Sequence, residues 1–247
     1  MSRCQGGCSS DTSCGGCGGG EGCSAGEDAG CAGCSGCGSA PSHDDIAIRQ
    51  MIVGPIETNC YAVISDGECM VVDPGASGAA IAERLSDVHV ALIVATHGHG
   101  DHVSGVAALQ AATGASFAMA AADVEMASHA GSGQFDDVPY DDDAPAPDRT
   151  LEEGDVVGVG TATFQVIACP GHTPGGIALL GCGLAFVGDT LFKGSAGRTD
   201  LEGGSEADLM HSLARLKVAV PPETTVLPGH GDITTMGSEL EHNPYLR

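Results

Sequence analysis

The sequence predicts an α/β domain of about 200 residues, with two sheets face to face and helices outside them, and three observations carry that prediction. Composition changes near His43, from a stretch with little to bury to apolar runs broken by Gly and Pro. Those runs fall into two successive blocks, each mixing short β-type segments with helical ones. Side chains of the metal-ligating type recur at the carboxyl ends of apolar runs, beside glycine, where α/β sheets place their sites.

Residues 1–43 form a separate low-complexity segment rich in Gly, Ser and Cys, expected to be disordered because it lacks the apolar surface to offset the entropy of ordering. It holds eight of the twelve cysteines. Cys14 and Cys17 are spaced C-x-x-C, and Cys31, Cys34 and Cys37 are spaced C-x-x-C-x-x-C, intervals that suit tetrahedral thiolate sites. An extra metal or thiol site there stands beside the plainer reading of a flexible biased tail. The formal net charge is −24, from 33 acidic and 9 basic residues, which excludes nucleic acid and anionic membrane as main partners. There is no run of 18 apolar residues and no apolar signal-peptide core, so a cytoplasmic protein is expected, its cysteines thiols or metal ligands.

In the domain, 44–247, the elements follow in order. "IAIRQMIV" (46–53), "CYAVIS" (60–65) and "CMVVD" (69–73) read as strands of a meander. "SGAAIAERLSD" (77–87) reads as a helix capped by Ser77. "VALIVAT" (90–96) is a fully apolar strand, "VSGVAALQAAT" (103–113) a helix, "SFAMA" (116–120) a strand and "AADVEMASHA" (121–130) helix-like. Residues 134–155, acidic and Pro-containing, suit a surface loop. "TATFQVIAC" (161–169), "GIALLG" (176–181) and "LAFVGD" (184–189) are strands. "SEADLMHSLARLK" (205–217) opens with Ser205 and Asp208 in a capping-box-like start, and "TTVLPGHG" (224–231) is a last strand and turn. Cys60, Cys69, Cys169 and Cys182, in or beside apolar strands, are expected to pack.

"THGHGDH" (96–102) crowds His97, His99, Asp101 and His102 into six positions after an apolar strand. So many imidazoles beside a carboxylate are electrostatically awkward without a cation, so the pattern points to a metal. His172 in "CPGHTPGG", Asp189 ending "LAFVGD" and His230 in "LPGHG" sit in the same kind of place. Each alone reads as a turn residue; with a metal at the first motif, all three become candidate ligands.

"TNCYAV", "VDPG", "THGHGDH", "LEEGD", "CPGHTPGG", "GDTLFKGSAGRTDLEGG" and "LPGHGDITTMGSELEHNPYL" together resemble the metallo-β-lactamase-fold hydrolases, and among them the small bacterial relatives of glyoxalase II (hydroxyacylglutathione hydrolase). The resemblance runs from about Ile46 to Arg247 and leaves out the Cys-rich leader. It implies a four-layer αββα sandwich with the site at one edge between the sheets. It also implies two Zn²⁺ per core, with iron or manganese compatible with the same ligands. His97, His99 and His172 would hold the first metal, Asp101, His102 and His230 the second, and Asp189 would bridge them. Two such ions about 3.5–4 Å apart generate a hydroxide near neutral pH. Asp101 is then the carboxylate placed to orient that hydroxide or take its proton, and a thioester of a small thiol is the implied substrate.

The chain departs from full-length glyoxalase II in two respects. Only 17 residues follow His230, too few for the helical domain with which the long enzymes grip glutathione. Where those enzymes present a Lys and a Tyr to the substrate, this chain has Arg198 and Asp200. Arg198 is a candidate carboxylate-binding residue, and an Arg198–Asp200 pair in a structural turn is the alternative. The persulfide dioxygenases are also similar; they use one iron at the positions of His97, His172 and Asp189. "GRTDLEGGS" and "LPGHG" are closer to the zinc-hydrolase branch. A metal- or thiol-handling protein acting through its leader is the remaining expectation.

Overall fold

A computed structural model describes residues 46–131 and 140–247. The leader, with Cys14, Cys17, Cys31, Cys34 and Cys37, lies outside the described residues. So do residues 132–139.

The first block builds one six-stranded sheet. β1 (Ile46–Val53) and β2 (Thr58–Ser65) form a hairpin in register from Ile46↔Ser65 to Val53↔Thr58, and β3 (Glu68–Val72) continues it antiparallel. From there each return is a parallel crossover: α1 (Gly78–Arg84) leads to β4 (His89–Val94), and α2 (Gly100–Val103) with α3 (Val106–Thr113) leads to β5 (Ser116–Ala120). α4 (Val124–Ala127) follows, and β6 (Arg149–Leu151) closes the sheet parallel to β5. The order is β1-β2-β3-β4-β5-β6.

The second block supplies β7 (Val156–Val159), β8 (Ala162–Ala168), β9 (Ile177–Gly181) and β10 (Leu184–Gly188). A small hairpin of β11 (Leu191–Phe192) and β12 (Ser195–Ala196) follows, then α5 (Glu206–Ala219), β13 (Thr225–Pro228), β14 (Thr234–Thr235) and α6 (Met236–His242). Its sheet runs β14-β13-β10-β9-β8-β7.

The two sheets bury one face of each against the other. Tyr61, Val63, Met70, Val72 and Val94 meet Val157, Phe164, Val166, Leu179 and Phe186 between them, and Tyr61 stands edge-on to Phe186 with ring centroids 5.5 Å apart. The alternate residues of the same strands face outward. Cys60, Cys69, Ile93 and Phe117 lie under Ile81, Leu85 and Leu109 of α1 and α3. Ile167, Ala178, Val187 and Val226 lie under Leu209, Leu213 and Leu216 of α5. Strands buried on both faces read as continuous apolar runs rather than alternating ones, which is why "CYAVIS" and "LAFVG" are so uniformly apolar. This is the expected αββα sandwich.

Three details differ from the sequence reading. Ser77 precedes α1 but has a left-handed backbone (φ 57°) and makes no side-chain cap; its N–H donates to Asp141 Oδ2 instead. The helix over 103–113 breaks at Ser104–Gly105, where a Cβ on Gly105 would lie 2.5 Å from the Pro74 carbonyl, and a separate short helix begins at Gly100. β6 lies inside the stretch expected to be loop, and Ala144 there is buried. Cys182, at a left-handed turn position (φ 52°), is partly buried and packs against the core between the sheets, as expected. Cys60, Cys69 and Cys169 are buried as expected. The predicted capping of α5 is present, Ser205 Oγ accepting from Asp208 N–H.

Candidate metal centre

Every site residue follows the carboxyl end of a strand, and backbone contacts fix how far each loop travels. After β4, Thr96 N–H and Oγ1–H donate to the two oxygens of Asp73 (2.7 and 2.8 Å), and Ile177 N–H donates to the Thr96 carbonyl, tying the two sheets together at this point. His97 and His99 follow, and His99 is the N-cap of α2, whose single turn carries Asp101 and His102. α2 rests on the 73–76 turn so closely that a Cβ on Gly75 would fall 1.4 Å from the Asp101 carbonyl oxygen. His172 comes from the loop after β8, and its Nδ1–H donates to the Arg198 carbonyl (2.7 Å), which turns Nε2 inward. Asp189 follows Gly188, whose positive φ (48°) turns the chain at the end of β10.

His230 follows β13. Its loop is clamped from β2: Asn59 Nδ2 donates to the carbonyls of Pro228 and Gly231 (3.0 Å each), and Tyr61 Oη–H donates to that of Pro228 (2.8 Å).

These loops bring all seven candidate residues together. His99 Nδ1 lies 3.1 Å from His97 Nε2 and 2.9 Å from His172 Nε2. Asp101 Oδ2 lies 3.0 Å from His230 Nε2 and 3.2 Å from His102 Nε2. Asp189 stands between the groups, with Oδ1 3.4 Å from His102 Nε2 and Oδ2 3.6 Å from both His172 Nε2 and His230 Nε2. The triads His97/His99/His172 and Asp101/His102/His230 each place their ligand atoms within 4.8 Å of one another, as does His97/His102/Asp189.

The electrostatics select cations. Burial, then the neighbouring imidazoles, hold His97 well below its ordinary pKa, and the same causes bring His99 down to about 4, so both present neutral nitrogens. Burial opposes charge on Asp101 and Asp189, yet His102 and its neighbours outweigh it and hold both carboxylates in the ionised form. His102 is likewise pulled above its ordinary value against burial by Asp101, Asp189 and Asp73. Among the described buried polar atoms, His102 Nε2 and Asp189 Oδ1 have no hydrogen bond, while His102 Nδ1 faces Asp73 Oδ2 at 3.0 Å. Five imidazoles and two carboxylates, with such atoms aimed inward, fit two divalent cations. The cluster opens into a cavity of about 510 Å³ walled by Ile56, Tyr140, Phe192, Ala196 and Leu201, with Arg198 also on its lining.

The metallo-β-lactamase superfamily family model matches residues 53–230. The chain belongs to the metallo-β-lactamase superfamily. Within this superfamily it is similar to a hydroxyacylglutathione hydrolase of Cereibacter sphaeroides, 38% identical over 190 residues (73% of this chain, 66% of that one). It is 28% identical over 208 residues to the hydroxyacylglutathione hydrolase GloC of Haemophilus influenzae (78% and 95%). Among solved superfamily structures, BLEG-1, a B3 metallo-β-lactamase, is 32% identical with a TM-score of 0.76 (81% of this chain, 99% of that one). TTHA1623 in a di-iron-bound form is 35% identical with a TM-score of 0.74 (80% and 100%). ETHE1 from Myxococcus xanthus is 27% identical with a TM-score of 0.64 (80% and 83%). The superfamily fold and the His/Asp cluster together support a binuclear metal site in a metal-dependent hydrolase.

Arg198 lies on the cavity wall but its guanidinium is engaged: Nε and Nη2 donate to the two oxygens of Asp200 (2.7 Å each), and Arg198 lowers the Asp200 carboxyl to about 2. The Arg198–Asp200 pair expected as the alternative is present in this loop. Cys169 is not among the clustered ligand atoms, and burial under α5 raises its thiol to about 12. The residues that hold the ligands were not found from sequence. Asp73 lies in the "VDPG" block and Asn59 and Tyr61 in "TNCYAV", where their positions carry a signal but no role. Asp123 sits in a stretch that reads as ordinary helix, and nothing in its local pattern marks it.

Proposed function

We propose that the protein hydrolyses thioesters of a small thiol at a binuclear metal centre. The observation that carries this reading is the pair of histidine-rich triads facing one another across Asp189. In this reading His97, His99 and His172 would hold the first ion and Asp101, His102 and His230 the second, with Asp189 placed to serve either. Zn²⁺ suits the donor set best, and iron or manganese also fits it. The ions, when bound, supply a water of lowered pKa and a Lewis acid for the carbonyl oxygen.

The chain's own residues do the rest. Thr58 Oγ1–H donates to Asp101 Oδ2 (3.1 Å) and orients that carboxylate, which takes the proton of the attacking water. His172 keeps Nε2 inward through its Nδ1–H bond to Arg198 O. Ile56, Phe192, Ala196 and Leu201 receive the acyl group and keep bulk water from it. A departing thiolate with a free pKa of about 8.5 needs little help from a general acid, so a thioester asks the least of a site like this one. Arg198 holds Asp200 through Nε and Nη2, which leaves Nη1 to meet a substrate carboxylate at the cavity wall.

The similarity to ETHE1 favours one competing reading, a persulfide dioxygenase with one iron on His97, His172 and Asp189. His230→Ala separates the two. The hydrolase reading expects loss of one metal per chain and roughly 10³-fold lower kcat/KM on thioesters. Retention of one iron, with undiminished oxygen uptake on persulfides, overturns it.

A further inference from the structure

We infer that Asp123 is the positioning residue of the first metal triad: its carboxylate pins the His97–His99 loop to the His172 loop and so sets the distance at which their imidazoles meet. The inference rests on the metal-site reading above.

Asp123 is fully buried, three residues beyond β5, and no ligand comes from its own segment. Its two oxygens are divided between the loops. Oδ2 accepts the N–H of Gly98 (2.9 Å), the residue between His97 and His99. Oδ1 accepts the N–H of Gly175 (2.5 Å), three residues past His172. Both partners are glycines because Asp123 occupies the space their side chains would need. A Cβ on Gly175 would lie 2.6 Å from Asp123 Cγ, and one on Gly98 would lie 2.7 Å from the Asp123 carbonyl and 3.0 Å from its Cβ. The contact is therefore built into the backbone of both loops.

The placement is also selective. The loops joined by Asp123 carry all three members of one triad, whose closest approach, His99 Nδ1 to His172 Nε2 at 2.9 Å, spans 73 residues of sequence. The other triad has its own supports: Thr58 on Asp101, Asp73 beside His102 Nδ1, and Asn59 on the His230 loop. A carboxylate is required because both partners are N–H donors. An amide at the same place accepts from one glycine and turns its NH₂ against the other.

The test compares full-length wild type with Asp123→Asn for zinc bound per chain across a series of buffered free-zinc concentrations; the leader is common to both, so the difference reports the domain. The expected result is one zinc, and one only, bound 10- to 100-fold more weakly in Asp123→Asn, with kcat reduced and KM for the thioester unchanged. Equal affinity for both zincs in the two proteins overturns the inference. Weakening of both zincs to the same extent, with a matching loss of thermal stability in excess chelator, also overturns it, because that is what a general structural role would do. If Asp123→Asn does not fold, Asp123→Ser removes the same paired acceptor without opposing NH₂ to N–H, and is read by the same criteria. A wild type that binds no zinc beyond its leader sinks the metal-site reading itself, a separate outcome.

Discussion

A ligand that holds a cation directly and one that holds a ligand in place fail differently when replaced. His97→Ala and Asp189→Asn remove donor atoms from the cluster, so each is expected to lower kcat/KM by roughly 10³-fold or more while the circular dichroism spectrum is kept. Unchanged turnover in both variants would refute the metal mechanism. Asn59 is different: its amide donates to two carbonyls of the His230 loop, and a carboxylate there would face both acceptors with no proton to give. Asn59→Asp is expected to cost about 3 kcal/mol in urea unfolding and to speed metal loss to chelator. At this scale the sequence was legible where chemistry is concentrated. The imidazoles of 97–102 announce themselves by crowding, whereas Asp73, Asp123 and Asn59 act through paired hydrogen bonds to residues far away in sequence, and no local pattern encodes such partners.

At the scale of elements, what reads well is what is long and uniformly apolar. β2, β4, β5 and β10 are largely buried on both faces, so each shows as a nearly continuous apolar run. β6, β11, β12 and β14 have two or three residues each, and the sheet rather than the local sequence makes them strands. α5 was legible because its start is chemical: Ser205 Oγ accepts from Asp208 N–H, and Ser205→Ala is expected to cost about 1 kcal/mol with thioester turnover unchanged. The Ser77 cap misled because serine also serves in turns, and here the left-handed backbone points its N–H at Asp141. α5 also sits hard on the His172 loop. Gly171 has φ 135°, and a Cβ there would lie 2.2 Å from Leu209 N, so Gly171→Ala is expected to cost about 2–3 kcal/mol by thermal unfolding.

For the whole molecule, the net charge of −24 sets the background against which everything else is measured. Self-repulsion at that charge is relieved by screening, so raising sodium chloride from low to physiological strength is expected to raise Tm. Among the described residues no helix is long and apolar enough to cross a membrane. The sandwich was legible from the two blocks of apolar runs, but the hydrogen bond from Ile177 N–H at the start of β9 to the Thr96 carbonyl just past β4 was not, since it joins sheets rather than neighbours in one. The packing around the centre has a further consequence for heredity. Gly75, Gly98, Gly175 and Gly229 all leave space that a neighbouring backbone or site side chain fills; a Cβ on Gly229 would lie 2.2 Å from Asp189 Oδ1. In a saturation library selected for function, alanine at these four codons should be purged as thoroughly as alanine at the histidine codons. The genetic footprint of the site is therefore larger than its list of donors, and much of its outline is drawn in residues that have no side chain at all.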